Sequence, residues 1–85
     1  MSEYDVLKRA VEKVLRVYSK EISVSVTFEN ELGADSIDIA QILKCVEDEL
    51  DIDLKQTDID SLLTVGDALA VIKKRVAEKK ENGNE

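Results

Sequence analysis

The chain contains no histidine, no proline and no tryptophan, and Cys45 is the only cysteine among its 85 residues. Because histidine is the commonest general base near neutral pH, its absence argues against an acid–base enzyme. One cysteine cannot form an internal disulfide, and within a helix we expect it to be a buried, unreactive thiol. No apolar run is long enough for a signal peptide or a membrane span, so the sequence predicts a cytoplasmic protein without stable membrane insertion.

Aromatic residues are also scarce, and aliphatic side chains fill almost all of the apolar positions. Aliphatic residues without proline favour packed helices over a turn-rich sheet, which predicts an all-α fold. A chain of this length suffices for one small domain. We assign residues 1–80 to that domain and residues 81–85 to a flexible C-terminal tail.

The net charge of −7 is concentrated in the middle of the chain. Residues 29–60 hold eleven acidic and two basic residues, whereas the segments on either side carry one net positive charge each. A negative field repels nucleic acid and attracts proteins with basic patches. Acidity could serve solubility alone, but solubility does not require the charge to be concentrated.

The same helix-start signal, a capping residue with an acid three positions later, precedes each of four periodic apolar segments. The four pairs are Ser2 with Asp5, Asp35 with Asp38, Thr57 with Asp60, and Thr64 with Asp67. The apolar faces run from Tyr4 to Tyr18, from Ile39 to Leu50, from Ile59 to Leu63, and from Val65 to Val76. These segments predict a four-helix bundle with three longer helices and one short third helix.

A long loop, from Ser19 to Gly33, separates the first two predicted helices. Within it Ile22, Val24, Val26 and Phe28 alternate with serine and threonine, as in a short strand. An isolated strand has no partner to pair with. We therefore predict a loop that some of these apolar side chains pin to the core.

The segment from Glu31 to Asp38 joins a turn to the start of the second predicted helix, which we place at Ser36 to about Leu50. Asp35 can accept a hydrogen bond from the amides at the helix start, and Asp38 can reach back to it. Capping explains both carboxylates, so we do not interpret them as a catalytic pair. Because Asp35 is the better cap, the hydroxyl of Ser36 is left pointing at solvent.

The motif Asp35-Ser36-Ile37, with the charge and helix pattern between about Thr27 and Val71, resembles the acyl carrier protein family. The resemblance implies a non-enzymatic carrier with 4′-phosphopantetheine, derived from coenzyme A, esterified to Ser36. Such an arm holds acyl intermediates as thioesters in fatty-acid, polyketide or related biosynthesis. The resemblance also implies that Asp35 and Asp38 are recognised by the phosphopantetheinyl transferase that attaches the arm, and that the carrier is a monomer.

In this family the exposed face of the second helix meets partner enzymes. The resemblance therefore implies docking there of acyl-loading, chain-modifying and acyltransferase enzymes with basic patches. The face comprises Ile37, Gln41, Lys44, Glu47 and Asp48. Family members commonly have glutamate where this chain has Gln41, and an apolar residue where it has Lys44. We expect a specialised carrier, in which Lys44 pairs with Glu47 or Asp48.

Two other interpretations bear on the same acidic region. The chain could be a non-catalytic interaction module in which Ser36 stays unmodified or is phosphorylated, since an acid-flanked serine is a common phosphorylation site. A calcium-binding loop beginning at Asp51 fails, because its sixth position is Gln56 instead of glycine and its twelfth is Leu62 instead of glutamate. We therefore predict no metal site.

Overall fold

The computed structural model describes residues 2–82 and contains three α-helices in that range. They are α1 (Glu3–Leu15), α2 (Ser36–Leu50) and α3 (Val65–Asn82), with single 3₁₀ turns at Ser19–Glu21 and Ile59–Ser61. Among these residues no strand forms, and the one β-type contact is an isolated bridge between Thr27 and Thr64. The all-α prediction is confirmed. None of the described helices is long and apolar enough to cross a bilayer.

Hydrogen bonds at the helix starts confirm three of the four predicted capping pairs. At α1 the Ser2 hydroxyl accepts from the Asp5 amide at 3.1 Å, and at α3 the Thr64 hydroxyl accepts from the Asp67 amide at the same distance. The amides of Thr64 and Leu63 both donate to the Asp67 carboxylate, which lowers its pKa. This carboxylate therefore stabilises the fold above pH 3.8, and its contribution disappears as the pH falls through the lowered pKa.

The fourth pair, Thr57 with Asp60, does not cap a helix. The amide of Thr57 donates to the carbonyl of Leu54 at 3.1 Å and so closes the preceding turn. Only a single 3₁₀ turn, Ile59–Ser61, follows, and no side chain caps it. One turn offers too few hydrogen bonds to offset the cost of starting an α-helix. The predicted short third helix is therefore a 3₁₀ turn.

The first helix is shorter than its apolar pattern indicates. It ends at Leu15 because Arg16 takes a left-handed conformation, with φ of 57°, and its amide donates to the Glu12 carbonyl at 2.8 Å. The chain changes direction there. Tyr18, which the pattern placed on the core face, is consequently 74% exposed.

The loop between α1 and α2 is pinned to the core as predicted. Ile22 and Phe28 are buried, at 5% and 1% exposure, whereas Val24 is 51% exposed. Three main-chain hydrogen bonds also join this loop to the start of α3. They run from the Phe28 amide to the Leu63 carbonyl, from the Val65 amide to the Val26 carbonyl, and from the Gly66 amide to the Val24 carbonyl. A Cβ at Gly66 would lie 2.9 Å from the Val24 carbonyl oxygen, so this approach requires glycine.

The three helices and the loop share one hydrophobic core. The predicted α2 stripe faces it, with Ile39, Ile42, Leu43 and Val46 all buried. Cys45 lies beside the stripe and packs against the core, but it is partly buried and not fully buried as predicted. The helix α3 continues two residues beyond residue 80, and residues 83–85 of the predicted tail lie outside the described part of the chain.

Candidate functional site

The start of α2 is built by two reciprocal hydrogen bonds. The Asp35 carboxylate accepts from the Asp38 amide at 2.9 Å, and the Asp38 carboxylate accepts from the Asp35 amide at 3.2 Å. Both carboxylates therefore have a structural use, as their spacing predicted. They fix the first turn of the helix and leave the intervening side chain of Ser36 without a capping task.

A tight turn delivers the chain to this helix. Gly33 has φ of +68°, a conformation that glycine adopts without strain. Its amide donates to the Glu29 carbonyl at 3.2 Å, and the amide of Ala34 donates to the Phe28 carbonyl at 2.8 Å. Because Phe28 is buried, the turn before Ser36 is tied directly to the core.

Ser36 is exposed, and its hydroxyl forms no hydrogen bond with any other residue in the range 2–82. The first-turn amides of Ser36 and Ile37 have no acceptor within the helix and point toward its amino end. Together with the helix dipole, they favour an anion attached at this end. The site therefore presents a reachable hydroxyl next to a position that suits a phosphate group.

Ser36 also stands on the rim of a groove of about 270 Å³. Buried apolar side chains form the floor, namely Phe28, Ala34, Ile39 and Leu62. The rim carries the acidic residues Glu29, Asp35 and Asp60, and Leu63, which is 67% exposed. The sequence analysis did not identify this groove, because its walls come from three separate segments. Only the alternation that includes Phe28 gave a signal for it.

The predicted docking face of α2 is exposed at Ile37, Gln41, Lys44 and Asp48, but not at Glu47. Lys44 pairs with Asp48 at 3.2 Å, which is one of the two pairings predicted for it. The Glu47 carboxylate accepts from the Leu54 amide at 2.6 Å and is half-buried. This face consequently offers an apolar side chain, an amide and an ion pair, and it is less acidic than the charge count indicates.

Comparison with known proteins identifies the family of the chain. A sequence profile of the phosphopantetheine attachment site matches residues 5–72, which include Ser36 and all the walls of the groove. The chain belongs to the acyl carrier protein family. Acyl carrier proteins of Clostridium perfringens strains SM101, ATCC 13124 and 13 are each 36% identical to it over 69 residues. The matched region covers 81% of this chain and 91% of theirs.

As a member of this family, the carrier is not an enzyme, and it holds acyl groups as thioesters on a 4′-phosphopantetheine arm. Its residues fit that group, because an exposed, unbonded hydroxyl lies at the amino end of a helix and beside a groove with an apolar floor. Within residues 2–82 no three acidic, cysteine or histidine side chains are close enough together to hold a metal ion.

Proposed function

We propose that the phosphopantetheine arm is attached to Ser36 and that the transferase recognises Asp35 and Asp38 beside it. The observation that carries this proposal is the exposed hydroxyl on the first turn of α2, which makes no hydrogen bond within the described residues. Asp35 and Asp38 hold that turn rigid through their reciprocal bonds. They thereby fix where the serine oxygen stands when a transferase approaches.

In the chemical step itself, the carrier supplies the nucleophile and the transferase supplies the catalytic groups. The Ser36 oxygen would form the new ester bond to the phosphorus nearest the pantetheine, while the pyrophosphate bond of coenzyme A breaks and adenosine 3′,5′-bisphosphate leaves. The proton that Ser36 loses goes to a base on the transferase, since the chain has no histidine. The free amides of Ser36 and Ile37 at the amino end of α2 would hold the phosphate of the arm, and such an end stabilises an exposed anion by about 0.3–1 kcal/mol. The arm supplies the thiol on which acyl groups are held as thioesters.

Incubation with coenzyme A and a phosphopantetheinyl transferase tests the proposal. We expect the intact mass to increase by one phosphopantetheine group, and proteolytic mapping to locate that group on Ser36. The chain offers internal controls in its other serines, Ser2, Ser19, Ser23, Ser25 and Ser61. Attachment to one of these would refute the assignment. An unmodified or phosphorylated Ser36 would instead favour the acidic interaction module.

We also propose that the α2 face around Ile37, Gln41, Lys44, Glu47 and Asp48 docks partner enzymes of a dedicated pathway. Glu47 and Asp48 already have partners within the chain, so a basic patch must compete with the Leu54 amide and with Lys44. Long-range attraction by the acidic region persists, but direct ion pairs are fewer. We propose that the carrier acts as a cytoplasmic monomer that delivers acyl groups to these enzymes.

The double variant Gln41→Glu, Lys44→Met tests the specialisation. It adds a free carboxylate and removes the cation from the face, so we expect a several-fold gain in kcat/KM when general fatty-acid synthase enzymes act on the loaded carrier. The gain should come from a lower KM with kcat unchanged, because the substitutions alter docking of the partner enzyme and not the reaction that it catalyses. The control is Lys73→Met, which removes an exposed lysine of α3 far along the chain from the docking face. It should leave kcat/KM unchanged. Equal use of both carriers would contradict the proposal.

A further inference from the structure

Two cations of α3 hold the beginning of the connection between α2 and α3. The ammonium of Lys79 donates to the main-chain carbonyl of Asp51 and, at 2.9 Å, to its carboxylate. The guanidinium of Arg75 donates through Nε to the main-chain carbonyl of Asp53 at 3.0 Å. We call these two side chains and the two carbonyls the clip. The bond from the Leu54 amide to Glu47 fixes the same stretch to α2.

The middle of the connection, residues 55–61, is held differently. All of its hydrogen bonds within the described structure are local. The Lys55 amide donates to the Asp53 carboxylate, the Thr57 amide to the Leu54 carbonyl, and the amide and hydroxyl of Ser61 to the Asp58 carbonyl, while the Ile59 carbonyl accepts from the Leu62 amide. None reaches a helix. The connection is fixed again only near Leu63, whose carbonyl accepts from the Phe28 amide. The middle therefore depends on side-chain packing alone and is the easiest part to displace.

This middle segment forms one wall of the groove beside Ser36, through Ile59 and Asp60. The groove, at about 270 Å³, is smaller than the roughly 300–1,000 Å³ typical of pockets for drug-sized ligands. The floor residues belong to the same hydrophobic core as Ile42 of α2 and Ile72 of α3, which are fully buried. Burying an acyl chain that is too long for the groove stabilises the loaded carrier only if the connection moves away from α2 to make room for the additional carbons.

We propose that the clip is a fixed hinge that limits the length of acyl chain the carrier shelters. The connection swings open at the Ser36 end, where only packing resists it, and stays closed at Asp51 and Asp53. Short chains fit the groove and the space opened by the middle segment. Longer chains require the clip to break. This inference rests on attachment of the arm at Ser36.

The experiment loads saturated acyl chains of increasing length onto the wild type and onto Arg75→Gln, Lys79→Gln. A transferase that accepts acyl-coenzyme A performs the loading, and the midpoint of thermal unfolding is measured for each loaded carrier. In the wild type we expect the midpoint to rise over the first carbons and then to level off. In the double variant it should continue to rise with longer chains, because only the bonds to Glu47 then hold the far end of the connection.

A matched control keeps the charge change and leaves the clip intact. The variant Lys73→Gln, Lys80→Gln also removes two positive charges, from exposed positions on the same helix. Its midpoint of thermal unfolding should level off at the same acyl-chain length as in the wild type. Levelling at that length in the clip variant as well would overturn the proposal. If the double variant does not fold, Lys79→Gln alone must show the same extension to longer chains, and its absence would equally overturn the hinge.

Hydrogen exchange on the unloaded protein separates this proposal from the assignment of Ser36. Loss of the clip should speed exchange of the Ile52 and Leu54 amides about tenfold, with no change in the control. Wild-type exchange rates in the clip variant would refute the hinge even if loading succeeds. Failure of the Ser36 assignment shows separately, as a missing mass increase at that residue.

Discussion

Replacing Ser36 by alanine is expected to abolish attachment of the phosphopantetheine arm and to leave the fold intact. The hydroxyl is the only nucleophile that the geometry offers to a transferase at the start of α2. It is also dispensable for folding, because Asp35 caps the helix and the Ser36 side chain is exposed. We expect no mass increase with coenzyme A and transferase, and a free energy of unfolding within about 0.5 kcal/mol of wild type.

Two further variants distinguish the role of Ser36 as the nucleophile from the role of Asp35 in recognition by the transferase. Ser25→Ala removes another exposed hydroxyl and should be loaded at the wild-type rate. Asp35→Asn preserves the cap, since asparagine caps helices as well as aspartate does, but removes a charge that the transferase is proposed to recognise. It should therefore load more slowly at unchanged stability. A mass increase in Ser36→Ala would contradict the assignment of Ser36 as the attachment residue.

The start of α2 was predictable because everything that builds it is local. Asp35 and Asp38 lie three residues apart, and their hydrogen bonds depend only on that spacing. The same spacing misled at Thr57, whose amide is taken by Leu54 in the preceding turn. A capping signal in the sequence reports what a side chain can do. It does not report whether the backbone behind it is free to begin a helix.

The end of α1 was harder to predict than its start, whereas α2 ends at Leu50, as predicted. Both α1 and α2 stop at a non-glycine residue in the left-handed conformation, Arg16 and Asp51. Glycine is the usual residue there, so the sequence carried no stop signal before Tyr18. At Asp51 the carbonyl and carboxylate both accept from Lys79, 28 residues away, and a contact of that range leaves no local pattern.

The groove beside Ser36 could not be predicted from the sequence either, because contacts between distant segments form it. Its walls meet because the first loop pairs with the start of α3, through bonds such as that between Phe28 and Leu63. The alternation of apolar residues correctly predicted that the loop is pinned to the core. It could not identify the segment near Thr64 with which the loop pairs, since that segment is too short to show a period of its own.

Phe28→Ala is expected to have the largest effect on stability. Phe28 is the only phenylalanine, it is 1% exposed, and it belongs both to the core and to the floor of the groove. Truncating a buried phenylalanine to alanine typically costs about 3–5 kcal/mol. Domains are stable by only about 0.05–0.15 kcal/mol per residue, so this loss removes much of the free energy of unfolding. Urea denaturation at neutral pH measures it.

The matched control is Val24→Ala in the same loop, where the side chain is half exposed and the loss should stay below about 1 kcal/mol. Phe28→Leu keeps most of the apolar volume and should fall between the two. A loss below about 1 kcal/mol in Phe28→Ala would mean that main-chain bonds anchor the loop, and that the side chain merely fills space. The carbonyl of Phe28 accepts from Ala34, so loosening this anchor also frees the turn that positions Ser36.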